Sequence, residues 1–295
     1  MAPGEEVRFA SGDGECAALV VRPPGGLNGP AVVLGTGFSC VRDQGLDRVA
    51  ERLAAAGFCA VSFDYRHWGV SPGEPRSLMG ARLQRQDWTA ATAFARGLDG
   101  VDPDRVAAWA YSLGTGHVQA LASSGRLEAA ALVCVAPLLS GLRSLVHMGG
   151  VRHAARLSAA GVRDAARALR GAPPYKVPAT GPPGSVGVLN SPGSEPGFAA
   201  ITPPGSSWRN EACARAALAP PYRLSRKVGR IAVPALYCVF EGDDVNPPDL
   251  GRRAAELAPG GELRTYPGGH FDPFQGETFD RMLGDQVEFL QRVLA

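Results

Sequence analysis

Four residues hold most of the nucleophilic and acid–base chemistry available to this chain: one serine, one histidine and two adjacent aspartates. Ser112 sits in Val106-Ala-Ala-Trp-Ala-Tyr-Ser-Leu-Gly-Thr-Gly116, where an apolar strand runs into the serine and a helix begins at Leu113. Small residues stand two positions either side, at Ala110 and Gly114, with Gly116 beyond. A serine hydroxyl is a weak nucleophile until a base takes its proton. His270, in Tyr-Pro-Gly-Gly-His-Phe-Asp at 266–272, is the candidate base. An imidazole in that role needs a carboxylate to fix its tautomer and stabilise its charged form. Glu241-Gly-Asp-Asp-Val-Asn-Pro-Pro248 offers two; the spacing to the proline pair puts the acid at Asp243, with Asp244 as an exposed neighbour. Acyl transfer through a covalent serine intermediate is the chemistry these types support.

The surrounding pattern says what must hold them. EEVRFAS and CAALVVR flank Gly12-Asp13-Gly14 and read as a hairpin. Apolar strands and amphipathic helices then alternate: AVVLGT (31–36), a helix over about 43–56, CAVSFD (59–64), a helix over 83–98, VAAWAY (106–111), the helix from Leu113, and AALVCVA (130–136). The rhythm returns with PALYCVFE (234–241), a helix near 249–258, ELRTY (262–266) and a closing helix over about 277–293. Short apolar runs separated by helices of ten or more residues predict βαβ units and a mostly parallel sheet. Each candidate residue falls just after a strand.

Between these halves the alternation stops. Residues 138–229 carry helical patterns and, from Gly171 to Gly205, a stretch dense in Pro and Gly. That stretch and its flanks also hold Tyr175, Val186, Val188, Leu189, Phe198, Ile201 and Trp208, too many large apolar groups for a disordered linker. The expected organisation is a core of residues 1–137 and 230–295 with 138–229 as an inserted cap.

Several function classes find no support. The 295 residues are 45% hydrophobic with a net charge of +2, so the charge balance lends no support to a nucleic-acid or anionic-membrane role. The starting segment has no basic, then apolar, signal-peptide pattern, and the expected compartment is the cytoplasm. The six cysteines lack metal-like spacing, and three lie inside strand-like runs as small hydrophobes. No metal or cofactor is expected. His117, His147 and His153 read as structural histidines on helices, while His67 lies in a loop that could approach the cleft.

Together these residues resemble the α/β-hydrolase superfamily over nearly the whole chain. The Ser112 segment is similar to its nucleophile elbow, G-x-S-x-G, with Ala110 at the first glycine, and the order Ser, Asp, His is the one the superfamily uses. The resemblance implies an oxyanion hole from the backbone N–H groups of Leu113 and of Phe38, in Gly35-Thr-Gly-Phe-Ser39, where Thr36 stands for a common histidine. Asp64-Tyr-Arg-His-Trp-Gly-Val-Ser71 resembles a loop that is structural in the superfamily. That loop, GEPR at 73–76 and Gly-Pro-Pro-Gly-Ser at 181–185 are similar to hydrolases related to the serine Xaa-Pro dipeptidyl-peptidase group, often found beside natural-product pathways. The expected activity is hydrolysis of an ester or thioester, its small-molecule acyl substrate free or linked to a carrier protein or coenzyme A. Acyl transfer, cyclisation or peptide cleavage by the same residues, and a non-catalytic binding protein, are the alternatives.

Overall fold

The computed structural model describes residues 4–26, 29–219 and 222–295. The strands are β1 (Glu5–Ser11), β2 (Gly14–Val21), β3 (Gly29–Gly35), β4 (Cys59–Phe63), β5 (Val101–Tyr111), β6 (Ala131–Val135), β7 (Lys176–Val177), β8 (Ala212–Cys213), β9 (Ala235–Phe240) and β10 (Gly261–Tyr266). Eight form one sheet in the order β1-β2-β4-β3-β5-β6-β9-β10; β7 and β8 pair only with each other. From β4 to β10 every neighbour is parallel, and the β1–β2 hairpin joins antiparallel through β2. Every residue of β4, β6 and β9 is buried, which is why they read as unbroken apolar runs and not as alternating ones. This is the α/β-hydrolase fold expected from the sequence.

The helices are α1 (Leu46–Ala55), α2 (Ala81–Arg96), α3 (Leu113–Ala122), α4 (Gly141–Ala168), α5 (Ser194–Ile201), α6 (Pro248–Leu257) and α7 (Gly276–Val293). Two boundaries differ from the sequence pattern by more than two residues. α1 starts at Leu46, not 43, because Gly45 turns the chain at a φ of 109°, with Phe274 too close to leave room for a Cβ. β5 starts five residues before Val106, since Val101 already pairs with Gly29 ahead of a register shift.

Residues 138–229 leave the sheet after β6 and return before β9. α4 is interrupted at Gly150, whose φ of 71° and ψ of −177° separate the two helical patterns seen in the sequence. Beyond it, Asp164 is fully buried in an ion pair with Arg215 and also accepts the Tyr175 N–H, tying α4 to the β7–β8 region. The Pro- and Gly-rich stretch packs through its apolar residues. Phe198 is buried, stacks on Trp208 and meets Phe271, the residue after His270, with centroids 5.0 Å apart in both cases. Gly197 permits this, because a Cβ there would lie 2.1 Å from the Phe271 ring. No helix among the described residues is long and apolar enough to cross a membrane.

Candidate active site

Ser112 occupies the turn between β5 and α3 at φ 51°, ψ −118°. A non-glycine residue there is strained, and such strain persists only where neighbours over-determine it. Here the Ser112 N–H donates to the Val135 carbonyl of β6, and the Thr115 hydroxyl donates back to the Ser112 carbonyl. The strand and helix approach closely. A Cβ on Gly114 would come within 2.5 Å of the Thr36 carbonyl, so this position tolerates only glycine, whereas Ala110 fits inside the sheet fully buried.

The expected residues converge in one line. Ser112 Oγ lies 2.9 Å from His270 Nε2, and His270 Nδ1 lies 2.8 Å from Asp243 Oδ2. All three are buried. The other Asp243 oxygen accepts the backbone N–H groups of Val245 and Asn246 at 2.9 and 2.8 Å, which fixes the carboxylate before it meets the imidazole. An Nδ1–H donated to Asp243 leaves Nε2 free to accept from the serine hydroxyl. Asp244, expected to be exposed, is half-buried: it accepts the Gly193 N–H at 2.6 Å and so ties the acid loop to the 138–229 segment.

The loop after β3 passes directly over the serine. A Cβ on Gly37 would lie 2.8 Å from Ser112 Cβ, so glycine alone lets the chain run this close. Phe38 follows, and Phe38, Ser112 and Leu113 share the wall of one cavity. Among the described residues neither the Phe38 nor the Leu113 N–H has a backbone acceptor. Thr36 shapes this loop by donating to the Cys40 carbonyl, while the Tyr65 hydroxyl, itself held by Trp88 Nε1, donates to the Thr36 carbonyl. Asp64 braces the next turn, accepting the N–H groups of Arg42 and Val70 at 2.8 and 3.0 Å. Burial pushes its carboxyl up to about 6, although those donors and the Arg42 charge pull the other way.

Other expected histidines lie elsewhere. His67 faces a separate cleft with Arg76 and Arg209, and bonds the Pro75 carbonyl. His117 is fully buried, and burial with the Arg85 charge lowers it to about 3. His147 reaches the Asp243 backbone carbonyl, and His153 pairs with Asn190. Asn246 joins the site with no motif of its own to mark it. Its amide donates to the Ala136 carbonyl and accepts from Ser144 of α4, joining the acid loop, the end of β6 and the 138–229 segment. The Asn-Pro-Pro run was its only signal.

The cavity beside Ser112 holds about 180 Å³. Its walls are mostly apolar, with Leu145, Met148 and Leu157 from α4 facing Phe38 and Leu113. Such a space seats an apolar chain and excludes water around a reacting carbonyl.

This sheet, the strained serine turn and the order of site residues along the chain define a class, and the sequence comparison agrees: the chain belongs to the alpha/beta hydrolase family, whose profile matches residues 29–282. It is 36% identical over 290 residues to the quorum-quenching protein AidA of Acinetobacter baumannii, covering 98% of this chain and 95% of that one. It is 35% identical over 144 residues to the thiohydrolase apmlB of Arthrinium phaeospermum, covering 47% and 45%. Among solved structures, the alpha/beta hydrolase GrgF from Penicillium sp. sh18 superposes with a TM-score of 0.83 at 23% identity, over 99% of each chain, a likeness of fold.

Proposed function

We propose that this protein hydrolyses a carboxylic ester or thioester of an apolar acyl group through an acyl-enzyme on Ser112. The observation that carries the reading is the continuous line from Ser112 Oγ through His270 to Asp243, opening into an apolar cavity. His270 Nε2 takes the serine proton as Oγ bonds to the acyl carbon. Its imidazolium is stabilised by Asp243, and the tetrahedral oxyanion faces the N–H groups of Phe38 and Leu113. Collapse breaks the bond to the alcohol or thiol, which leaves with the proton from His270. Water then enters, gives a proton to His270 and attacks the acyl carbon; the bond from the acyl carbon to Ser112 Oγ breaks as His270 returns that proton to Oγ, and the acid leaves.

The thiohydrolase relative supports a thioester among the bonds cleaved. In this reading residues 138–229 act as the cap that shapes the acyl site. Peptide cleavage, which the dipeptidyl-peptidase resemblance implies, is the weaker choice: among the described residues no carboxylate lines the cavity to pair with a peptide amine. Labelling with a fluorophosphonate and mapping the modified residue tests the proposal. Label on Ser112 that disappears in His270→Ala is the expected result; a folded protein that takes no label overturns it. Alcohol and amine acceptors added during turnover distinguish hydrolysis from transfer.

A further inference from the structure

A second cleft, of about 580 Å³, opens at the far end of α3 from Ser112. Five of its ten lining residues are cations, Arg85, Arg126, Arg223, Lys227 and Arg230, and none is acidic. Among the described residues none of these five forms an ion pair. In a chain whose net charge is only +2, that is a concentrated unneutralised patch. The carboxyl end of α3 lies here too, but one helix end carries only about half a negative charge, far less than five cations supply.

One residue, Tyr222, is common to the linings of this cleft and of the cavity beside Ser112. Its hydroxyl donates to His117 Nδ1 at 2.6 Å and accepts from Arg85 at 3.1 Å, while His117 Nε2 donates to Gln84 at 2.9 Å. A Cβ on Gly116 would sit 3.0 Å from the Tyr222 ring, so this ring rests against α3. At about 1.5 Å per residue, Ser123 in the cleft lies roughly 16 Å along the helix from Ser112.

We propose that this cleft seats the phosphate of a pantetheine-type thioester, whose arm runs past Tyr222 and delivers the acyl carbonyl to Ser112. The inference rests on the acyl-enzyme reading above and names its thiol leaving group. The arm has about thirteen bonds from phosphorus to sulfur. At the extension of a peptide chain, about 3.5 Å for three bonds, it spans about 15 Å, close to the rise of about 16 Å that ideal helix geometry gives from Ser112 to Ser123. Arginine forks are the donors suited to a phosphate dianion, and four of the five cations are arginines. Both coenzyme A and a carrier protein present this phosphorylated arm, and the kinetics separate them.

The test compares one acyl group on pantetheine, 4′-phosphopantetheine, coenzyme A and a phosphopantetheinylated carrier protein, using the wild-type chain and the exposed double variant Arg126→Glu/Arg230→Glu. The phosphorylated thioester should exceed its pantetheine analogue by about tenfold or more in kcat/KM, the range of one or two charge-assisted hydrogen bonds. The difference should sit in KM and disappear in the double variant, which should turn over the pantetheine analogue as the wild type does. Greatest activity with coenzyme A or with the carrier identifies the source. Equal rates for the phosphorylated and plain arms, or a preference that survives charge reversal, overturn the phosphate site and leave the serine reading intact. Enhancement by carrier protein without enhancement by free phosphopantetheine also overturns it, by placing recognition on the carrier's surface. Failure to turn over any thioester, with no label on Ser112, overturns both.

Discussion

The carboxyl ends of the strands and the 138–229 segment are built to different standards. At the strand ends Ser112, His270 and Asp243 are all buried, backbone N–H groups hold Asp243, and Gly37 and Gly114 pass within contact distance of their neighbours. α4, by contrast, leaves Leu142, Val151 and Val162 exposed, and Gly150 breaks its path. The contrast teaches a division of labour. Geometry that must be held to a fraction of an ångström comes from the sheet, while the segment supplies cavity walls that can vary without moving the reacting atoms.

The largest expected effect lies at the strand ends. Ser112→Ala should lower kcat on an activated ester by about four orders of magnitude or more, with an unchanged thermal unfolding midpoint. Next is Gly37→Ala, whose added methyl would meet Ser112 Cβ at 2.8 Å and push the Phe38 N–H away from the proposed oxyanion site; kcat should fall about a hundredfold. On the other side of the comparison, Met148→Trp should cut kcat/KM for long acyl esters about tenfold and spare acetate esters. Loss of acetate turnover there would show that the segment also sets catalytic geometry.

Acid should act on the core first. His117 is lowered to about 3 from an unfolded value near 6.5, so below pH 6.5 the unfolded chain binds a proton that the folded chain refuses. Stability should therefore fall as the pH drops from 6.5 toward 3, by about 1 kcal/mol per unit from this group. Urea midpoints measured across that range should show a shallower slope in His117→Gln. The smallest effect belongs to Leu169→Ser, which alters a side chain 90% exposed and should shift stability by no more than about 0.5 kcal/mol.

The sheet and the positions of Ser112 and His270 were legible because strand, turn and helix each leave a local periodic signal, and those residues follow strand ends. The pattern up to Pro247-Pro248 separated Asp243 from Asp244, but the bond from Asp244 to Gly193 joins residues 51 apart in the chain, and no local pattern reports it. The same holds for Asn246 with Ser144, for Tyr65 with Trp88, and for Phe198 against Phe271. The sequence showed that the apolar groups of 171–205 must be covered; what covers them is decided by tertiary packing. The early start of β5 and the late start of α1 were hidden for a related reason, since a register shift and a left-handed glycine override propensity.

β6 pairs with β9 although residues 136–234 lie between them. For the folded state the cost of so long an excursion is small, because closure entropy rises only with the logarithm of loop length. Synthesis feels it differently. At about 5–20 residues per second, β6 waits on the order of 5–20 s for its partner to be made. During that interval a fully apolar strand presents an open edge, the kind of surface that seeds aggregation or recruits a chaperone. The yield of active protein should therefore respond to translation speed across this stretch more than to any codon change after β10.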